Sequence, residues 1–451
     1  MTLDDETCYR ALSARDPRFD GQFFVAVSST RIYCRPICPA RRPARQSCAF
    51  YASAAQAERA GYRACLRCRP ELAPGHAPVD SVSRLVRSAV KLIDEGFLNE
   101  ASLEDLAGRL GVSARHLRRS VQSELGVSPV GLAQTRRLAM ARQLLRDSEL
   151  SLTEVAFACG FGSLRRFNAL FQEQFGRPPS SLRRECGPTS GLSLRLDYRP
   201  PYDWAGMLAF LRARAVPGLE SVSEHEVRRL TPQGEILVRH HPGKPALVAR
   251  LPLAMARQTL SLRARLRHLF DLDAHPAEIA LVLGPGYDAG LRVPGAFDPF
   301  EMALRAVLGQ QVSVRAATTL AGRLVARYGG FFPSPESLAG EDPEELASLG
   351  LPTARARSLV GLAGQVAAGE LRLDGSQPLQ ETLSKLESLP GIGPWTSHYV
   401  ALRALHWPDA FPQADLGVRK LLGPKALELA ERWRPWRAYA VMHLWTKGTL
   451  P

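Results

Sequence analysis

Cys34 and Cys38 lie one helical turn apart in RIYCRPICPARRPAR, and Cys65 and Cys68 form a tighter pair in YRACLRCRP after a 26-residue gap. Four thiolates at such spacings can close a tetrahedron around one zinc ion. From Arg31 to Arg69 the chain sets nine arginines against a single acidic residue, Glu58. An anionic metal site in a cationic shell would hold a polyanion against a metal-bound thiolate, which is what a nucleophile for phosphate esters needs. On spacing alone, a closed four-cysteine site that only folds its domain carries more weight.

A second group with chemistry in it lies near the C-terminus. LPGIGPWTSHYVALRAL, residues 389–405, reads as a helix-hairpin-helix. Its Gly391 and Gly393 let the turn approach a DNA phosphate, so that backbone N–H groups at the next helix N-terminus can bind it. Alone, that motif suggests DNA binding without sequence preference. FPQADLGVRK follows, with Asp415 after the hairpin. Electron-rich Trp395, Tyr399 and Trp445 could form a cation–π surface. The Asp415 carboxylate could cap the helix that begins LGVRK, a role that can coexist with a chemical one. Singly, the tryptophans are core residues more often than ligands.

These groups must be positioned by several domains. A chain of 451 residues is too long for one, and about three is the prior from length. With 45% hydrophobic residues it can build several cores. The balance of 58 Lys+Arg against 44 Asp+Glu gives +14, which favours a polyanionic partner, nucleic acid before an anionic membrane. The acidic start MTLDDETCYR does not read as a secretion signal, and no apolar run approaches a membrane span. Four of the eight cysteines sit in the zinc pattern and the rest are scattered, which reads as a reducing cytosol.

RPELAPGHAPVD (69–80) reads as a linker and ECGPTSG (185–191) as a second boundary. Between them the pattern is helical and contains two helix-turn-helix units. In SLEDLAGRLGVSARHLRRSVQSELG (102–126), Ser102 reads as an N-cap with Asp105 at N3, Gly111 as the turn and Ser113 as the next cap. In SLTEVAFACGFGSLRRFNALFQEQFG (151–176), Gly160 and Gly162 take the turn and Ser163 caps. The helix after each turn carries arginines on one side, Arg115, Arg118 and Arg119 in the first and Arg165 and Arg166 in the second, as a recognition helix in a major groove needs. An ordinary bundle with solvated arginines is the competing reading, and the duplication weakens it. Residues 192–297 mix β-type segments (SLRLDYRPPYDW, GEILVRHHP, PALVARLPL) with helical ones, and from Asp298 the pattern is helical again.

The tandem pattern, closing on GFGSLRRFNALFQEQFGRPPSSLRR, resembles the DNA-binding domain of AraC-family regulators. With DGQFFVAVSSTRIYCRPICPARRPAR and YRACLRCRPE before it, residues 1–185 resemble the N-terminal half of the Ada family. That resemblance implies one zinc ion per chain on Cys34, Cys38, Cys65 and Cys68, with Cys34 the acceptor of a methyl group from a DNA methylphosphotriester. It places phosphate contacts on Thr30, Arg41 and Arg63. Methylation would take a site of net −2 to −1, reduce its repulsion of phosphates and tighten promoter binding. The Pro-Cys-His-Arg motif of that family's second methyltransferase domain does not occur here, since Cys186 is followed by Gly-Pro and no cysteine lies beyond it, so repair of O6-methylguanine is not expected.

Asp415 after the hairpin matches the helix-hairpin-helix DNA glycosylases. YRPPYDWAGMLAFLRARAV, LRVPGAFDPFEMALRAVLGQQVSV and WRPWRAYAVMHLW make residues 192–451 resemble the AlkA family of 3-methyladenine DNA glycosylases. That resemblance implies base flipping, a cationic base against Trp395, Tyr399 and Trp445, and Asp415 as the catalytic carboxylate. Bifunctional relatives carry a Schiff-base lysine where this chain has Trp395, so hydrolysis without β-lyase activity is expected. Relatives with an iron–sulfur cluster need cysteines that this half lacks. The family's intercalating leucine falls at Gln311, a weaker wedge.

The expected fold is multidomain, mainly α with α+β parts. It comprises a zinc-bound α+β domain (1–75), a tandem helix-turn-helix bundle (81–186), an α+β domain of AlkA N-terminal type (192–297) and an all-α helix-hairpin-helix glycosylase domain (298–451). The whole resembles an Ada–AlkA fusion: a methylation-switched transcriptional activator joined to an excision enzyme for alkylated purines. Expected partners are double-stranded DNA, both alkylated and promoter, and RNA polymerase, with no membrane. A cytoplasmic, nucleoid-associated monomer is expected. The rival class is a DNA-binding regulator whose C-terminal half is an inactive clamp, and Gln311 is the residue that favours it.

Overall fold

The computed structural model describes residues 3–75, 83–182 and 192–448. Part of the 69–80 linker and the boundary at 185–191, with Cys186, lie outside the described residues. Two compact units divide the chain: Met1–Pro200 with His240–Arg267 and Leu272–Ala274, and Pro201–Arg239 with His268–Asp271 and His275–Pro451. The division falls inside the 192–297 stretch. No described helix is long and apolar enough to cross a membrane.

The first unit begins with a four-stranded sheet of β1 (Phe24–Val27), β2 (Ile32–Cys34), β3 (Cys48–Tyr51) and β4 (Arg63–Ala64), in the order β3-β1-β2-β4. The parallel β2–β4 pairing sets Tyr33 against Ala64 and so brings Cys34 to the knuckle of Cys65. Cys34 closes β2, and a turn leads to Cys38. A turn, not a helix, carries this four-residue spacing; Pro36 within it and Pro39 after it have no N–H to donate to a helix.

The two helix-turn-helix units form as their capping chemistry dictates. Helix Leu103–Arg109 opens on a capping box of Ser102 and Asp105, and helix Leu152–Ala158 on one of Ser151 and Glu154. Ser113 and Ser163 cap the helices that follow, Ala114–Leu125 and Leu164–Phe175. The turns need a left-handed residue at Gly111 (φ 70°) and Gly160 (φ 78°). Gly162 needs no such conformation. The first helix-turn-helix buries Leu106, Leu117 and Val121 completely, and the second helix-turn-helix buries Val155, Phe167 and Phe171. The 19-residue helix Pro129–Asp147 joins them. Later in this unit β5 (Leu192–Asp197) pairs antiparallel with the strand Ala246–Leu251.

In the second unit, strands Glu220–Val222, Glu226–Thr231 and Gly234–His240 form an antiparallel meander. The rest is helical, as the sequence from Asp298 onward predicts. Its core gathers Leu304, Val307, Leu308, Leu324, Leu359, Leu362 and Leu386, all fully buried. Helices Leu379–Ser388 and Pro394–Arg403 flank the LPGIG turn, which buries Ile392. The multidomain, mainly α architecture with α+β parts is the one the sequence predicts.

Candidate functional site

In the first unit, the sulfurs of Cys34, Cys38, Cys65 and Cys68 all lie within 4.8 Å of one another. Cys38 Sγ and Cys65 Sγ are 3.9 Å apart, close to the edge of a tetrahedron with Zn–S bonds of about 2.3 Å. Without a cation the Cys34 thiol is pushed far up, first by hydrogen bonds with Cys38 and Cys65, so the four ionise together only around a positive charge. Cys38, Cys65 and Cys68 are 5%, 6% and 7% exposed, whereas Cys34 is half-buried. Of the four residues, Cys34 is the least buried.

Backbone amides complete the cluster. Arg35 N–H donates to Cys68 Sγ at 3.3 Å and Arg67 N–H to Cys65 Sγ at 3.4 Å. The knuckle rests on the helix that joins the two helix-turn-helix units: Arg142 donates to Cys65 O, Arg146 to Leu66 O at 3.1 Å, and Arg69 makes a bidentate pair with Asp147 at 2.8 and 2.9 Å. Thr30, Arg41 and Arg63 are exposed, Thr30 just before β2 and Arg63 on β4. Arg115, Arg118, Arg119, Arg165 and Arg166 are exposed on the second helix of their units while the opposite faces are buried. That is the amphipathic division the sequence predicts. Glu58, the lone acid of the cationic segment, accepts from Tyr33 Oη at 2.8 Å and Thr135 Oγ1 at 2.9 Å.

In the second unit, the i, i+4 spacing on helix Pro394–Arg403 stacks Trp395 on Tyr399, with centroids 5.2 Å apart and planes at 20°. Trp445 lies 6.1 Å from Tyr399. Both indoles point N–H groups at one carboxylate: Trp395 Nε1 to Asp415 Oδ2 and Trp445 Nε1 to Asp415 Oδ1, each 3.0 Å. Asp415 also caps helix Leu416–Leu422, accepting from Gly417 N at 2.9 Å and Val418 N at 3.1 Å. The capping reading is borne out, and the same carboxylate accepts from both indoles.

Sequence reasoning missed the groups around Tyr399. Arg403, on the next turn of the same helix, donates to Tyr399 Oη at 2.9 Å. Phe210 lies under both Arg403 and Arg214, whose guanidinium carbons are 4.9 and 3.7 Å from its centroid. Burial would raise the phenol's pKa, but the charges of Arg403, Arg214 and Arg305 outweigh it and lower it. The i, i+4 pairs Tyr399/Arg403 and Phe210/Arg214 are the only sequence signal for this arrangement, and each reads locally as an ordinary helix face.

At the hairpin, Gly391 is left-handed (φ 82°), and a Cβ there would come within 2.3 Å of Ser358 Oγ. At Gly393 a Cβ would meet open space, and no side chain caps the ten-residue helix that starts there. Gln311 is exposed at the turn before helix Val314–Arg327 with φ 53°, beside exposed Val312 and Val314. Its neighbour Gln310 ties that turn to the hairpin, donating to Gly391 O at 2.8 Å and Thr396 Oγ1 at 2.9 Å.

Four family models match in order. They are the metal binding domain of Ada (residues 7–71), a helix-turn-helix domain (106–185), the AlkA N-terminal domain (193–298) and the HhH-GPD superfamily base excision DNA repair protein (304–432). The fold and the four-cysteine centre thus define a DNA-binding protein with a zinc centre and a helix-hairpin-helix region. The chain is 40% identical to a Mycobacterium tuberculosis protein named "Probable bifunctional transcriptional activator/DNA repair enzyme AlkA", over 99% of this chain and 97% of that one. It belongs to the Ada–AlkA fusion family. Two further relatives each match one half. "DNA-3-methyladenine glycosylase 2" of Escherichia coli is 36% identical over 57% of this chain and 98% of its own length. "Bifunctional transcriptional activator/DNA repair enzyme Ada" of the same organism is 33% identical over 40% of this chain and 49% of its own.

Proposed function

We propose that this chain is an alkylation-damage response protein. Its C-terminal half excises alkylated purines of the 3-methyladenine type, and its N-terminal half senses methylated DNA phosphates at Cys34 and activates transcription. The observation that carries the first part is the Asp415 carboxylate held between the indoles of Trp395 and Trp445 beside a stacked Tyr399. Alkylation at a ring nitrogen leaves the purine cationic, and the aromatic faces favour a cation. As the C1′–N bond breaks, its electron pair goes to the base, which departs neutral. The Asp415 carboxylate then faces the positive charge on the sugar, and water adds at C1′ with loss of its proton. Trp395 stands where a lysine would be needed for lyase chemistry, so the product is an abasic site.

The second part rests on the half-buried position of Cys34 among three buried cysteines. Bound zinc keeps the four sulfurs ionised and nucleophilic at neutral pH. Cys34 Sγ attacks the methyl carbon, the S–C bond forms, the C–O bond breaks, and the phosphodiester leaves with the electron pair. One transfer consumes the site. Thr30, Arg41 and Arg63 are assigned to the phosphates, and the arginines of the two recognition helices to promoter DNA, from which the signal would pass to RNA polymerase. This reading assigns residues 1–75, 81–186, 192–297 and 298–451 to methyl acceptance, promoter binding, the α+β support and excision.

Peptide mass spectrometry after reaction with methylphosphotriester DNA tests the acceptor. The expected result is one added CH2 on Cys34, and an unmodified Cys34 sinks the assignment. Release of free alkylated purine from methylated duplex tests excision, and none would favour the inactive-clamp alternative.

A further inference from the structure

We propose that Asp197 is a positioning residue of the zinc centre: acting through Arg35, it holds Cys34 and Cys68 in place. Arg35 follows Cys34 directly, and it grips Cys68 twice, through its backbone N–H to Sγ at 3.3 Å and its Nη1 to the carbonyl O at 3.2 Å. Its side chain is 2% exposed and is held between two carboxylates. Arg35 Nε donates to Asp20 Oδ1 at 2.8 Å and Nη2 to Asp20 Oδ2, while Nη1 donates to Asp197 Oδ2 at 2.8 Å. Asp197 is in turn fixed by Arg195, whose Nε and Nη2 donate to it at 2.7 and 2.9 Å.

Asp197 lies 162 residues beyond Arg35 at the end of β5, inside the stretch matched by the AlkA N-terminal family and outside that matched by the Ada metal binding domain. Two residues on, Arg199 is 1% exposed and donates to Asp20 O at 2.8 Å and Gly75 O at 2.7 Å. Asp20 is therefore held from the same strand end by a second route. A buried guanidinium with one of its two carboxylates removed must move toward water or draw in solvent. Either movement shifts the backbone that carries Cys34 and the N–H that serves Cys68. Groups that orient metal ligands in this way change metal affinity about 10- to 100-fold when removed.

The inference rests on the zinc centre and not on methyl transfer, so its failure leaves the role of Cys34 open. The test is the rate at which the zinc-loaded full chain gives up zinc to a chromogenic chelator. Asp197→Ala is expected to lose zinc about tenfold faster or more, Asp197→Asn to fall between it and the parent, and Asp197→Glu to recover part of the loss. Leu194→Ala, which removes a fully buried side chain from the same strand without touching Arg35, is expected to keep the parent rate. If Asp197→Ala does not fold, Asp197→Asn decides. A parent-like rate in the Asp197 variants overturns the proposal, and so does equally fast loss in Leu194→Ala.

Discussion

Trp395 donates its indole N–H to Asp415 Oδ2 at 3.0 Å, while its ring stacks on Tyr399. In the proposed reaction this one side chain would serve two purposes, an aromatic face for a cation and a donor that orients the carboxylate. Trp395→Phe separates them, since it keeps the stack and removes the bond. A hydrogen bond to a charged group is worth about 1.5–3 kcal/mol, so kcat is expected to fall about 10- to 100-fold, with KM nearly unchanged. Steady-state excision kinetics on one alkylated duplex check this, and an unchanged kcat would mean the bond does not serve the chemistry.

Asp415 also has two roles, and two substitutions resolve them. Asp415→Asn keeps a side-chain oxygen for Gly417 N and Val418 N, so the melting temperature should stay close to the parent's. Asp415→Ala removes the cap and should cost about 1 kcal/mol. Thermal melts of the two variants measure the difference.

Glu58 makes the first unit sensitive to pH. Burial pushes its pKa up to about 7, and the hydroxyls of Tyr33 and Thr135 and the charges of Arg142 and Arg136 only partly offset this. The folded chain then keeps a proton that the unfolded chain loses near pH 4.3. More protons on the folded form mean that this contribution to stability declines as pH rises from about 4.3 to about 7. Glu58→Gln removes the titration. Its melting temperature minus the parent's is expected to increase between pH 5 and pH 8, and a constant difference would contradict the assignment.

Zinc removal should act on one site only. Chelation takes the cation from four sulfurs that cannot all ionise without it, so promoter binding by the N-terminal half is expected to be lost. Excision draws on residues of the second unit and should continue at its starting rate. Gel shift and base release on the same chelated sample compare the two.

Much of this was legible locally. The capping boxes at Ser102 and Ser151 and the left-handed glycines at 111 and 160 are short-range signals, and both helix-turn-helix units formed on them. Asp415 was legible as a cap because an acid just before LGVRK is a short-range signal. What was not legible is long-range. Phe210 lies under Arg403 across almost 200 residues, and Asp197 reaches Arg35 across 162; no local spacing encodes such pairs. The Cys34–Cys38 spacing left the backbone open, and strand β2 and two prolines decided it. At Gln311 the residue type suggested a weak wedge. The structure adds its setting, an exposed left-handed turn with Val312 and Val314 beside it.

The most direct test of the account is the release of free 3-methyladenine from methylated duplex DNA by the full chain and by its Asp415→Asn variant, measured under single-turnover conditions with enzyme in excess. The parent is expected to release the base and leave abasic sites, and the variant to bind the duplex but release none. A parent that releases no base, or a variant that releases it at the parent's rate, would contradict the account.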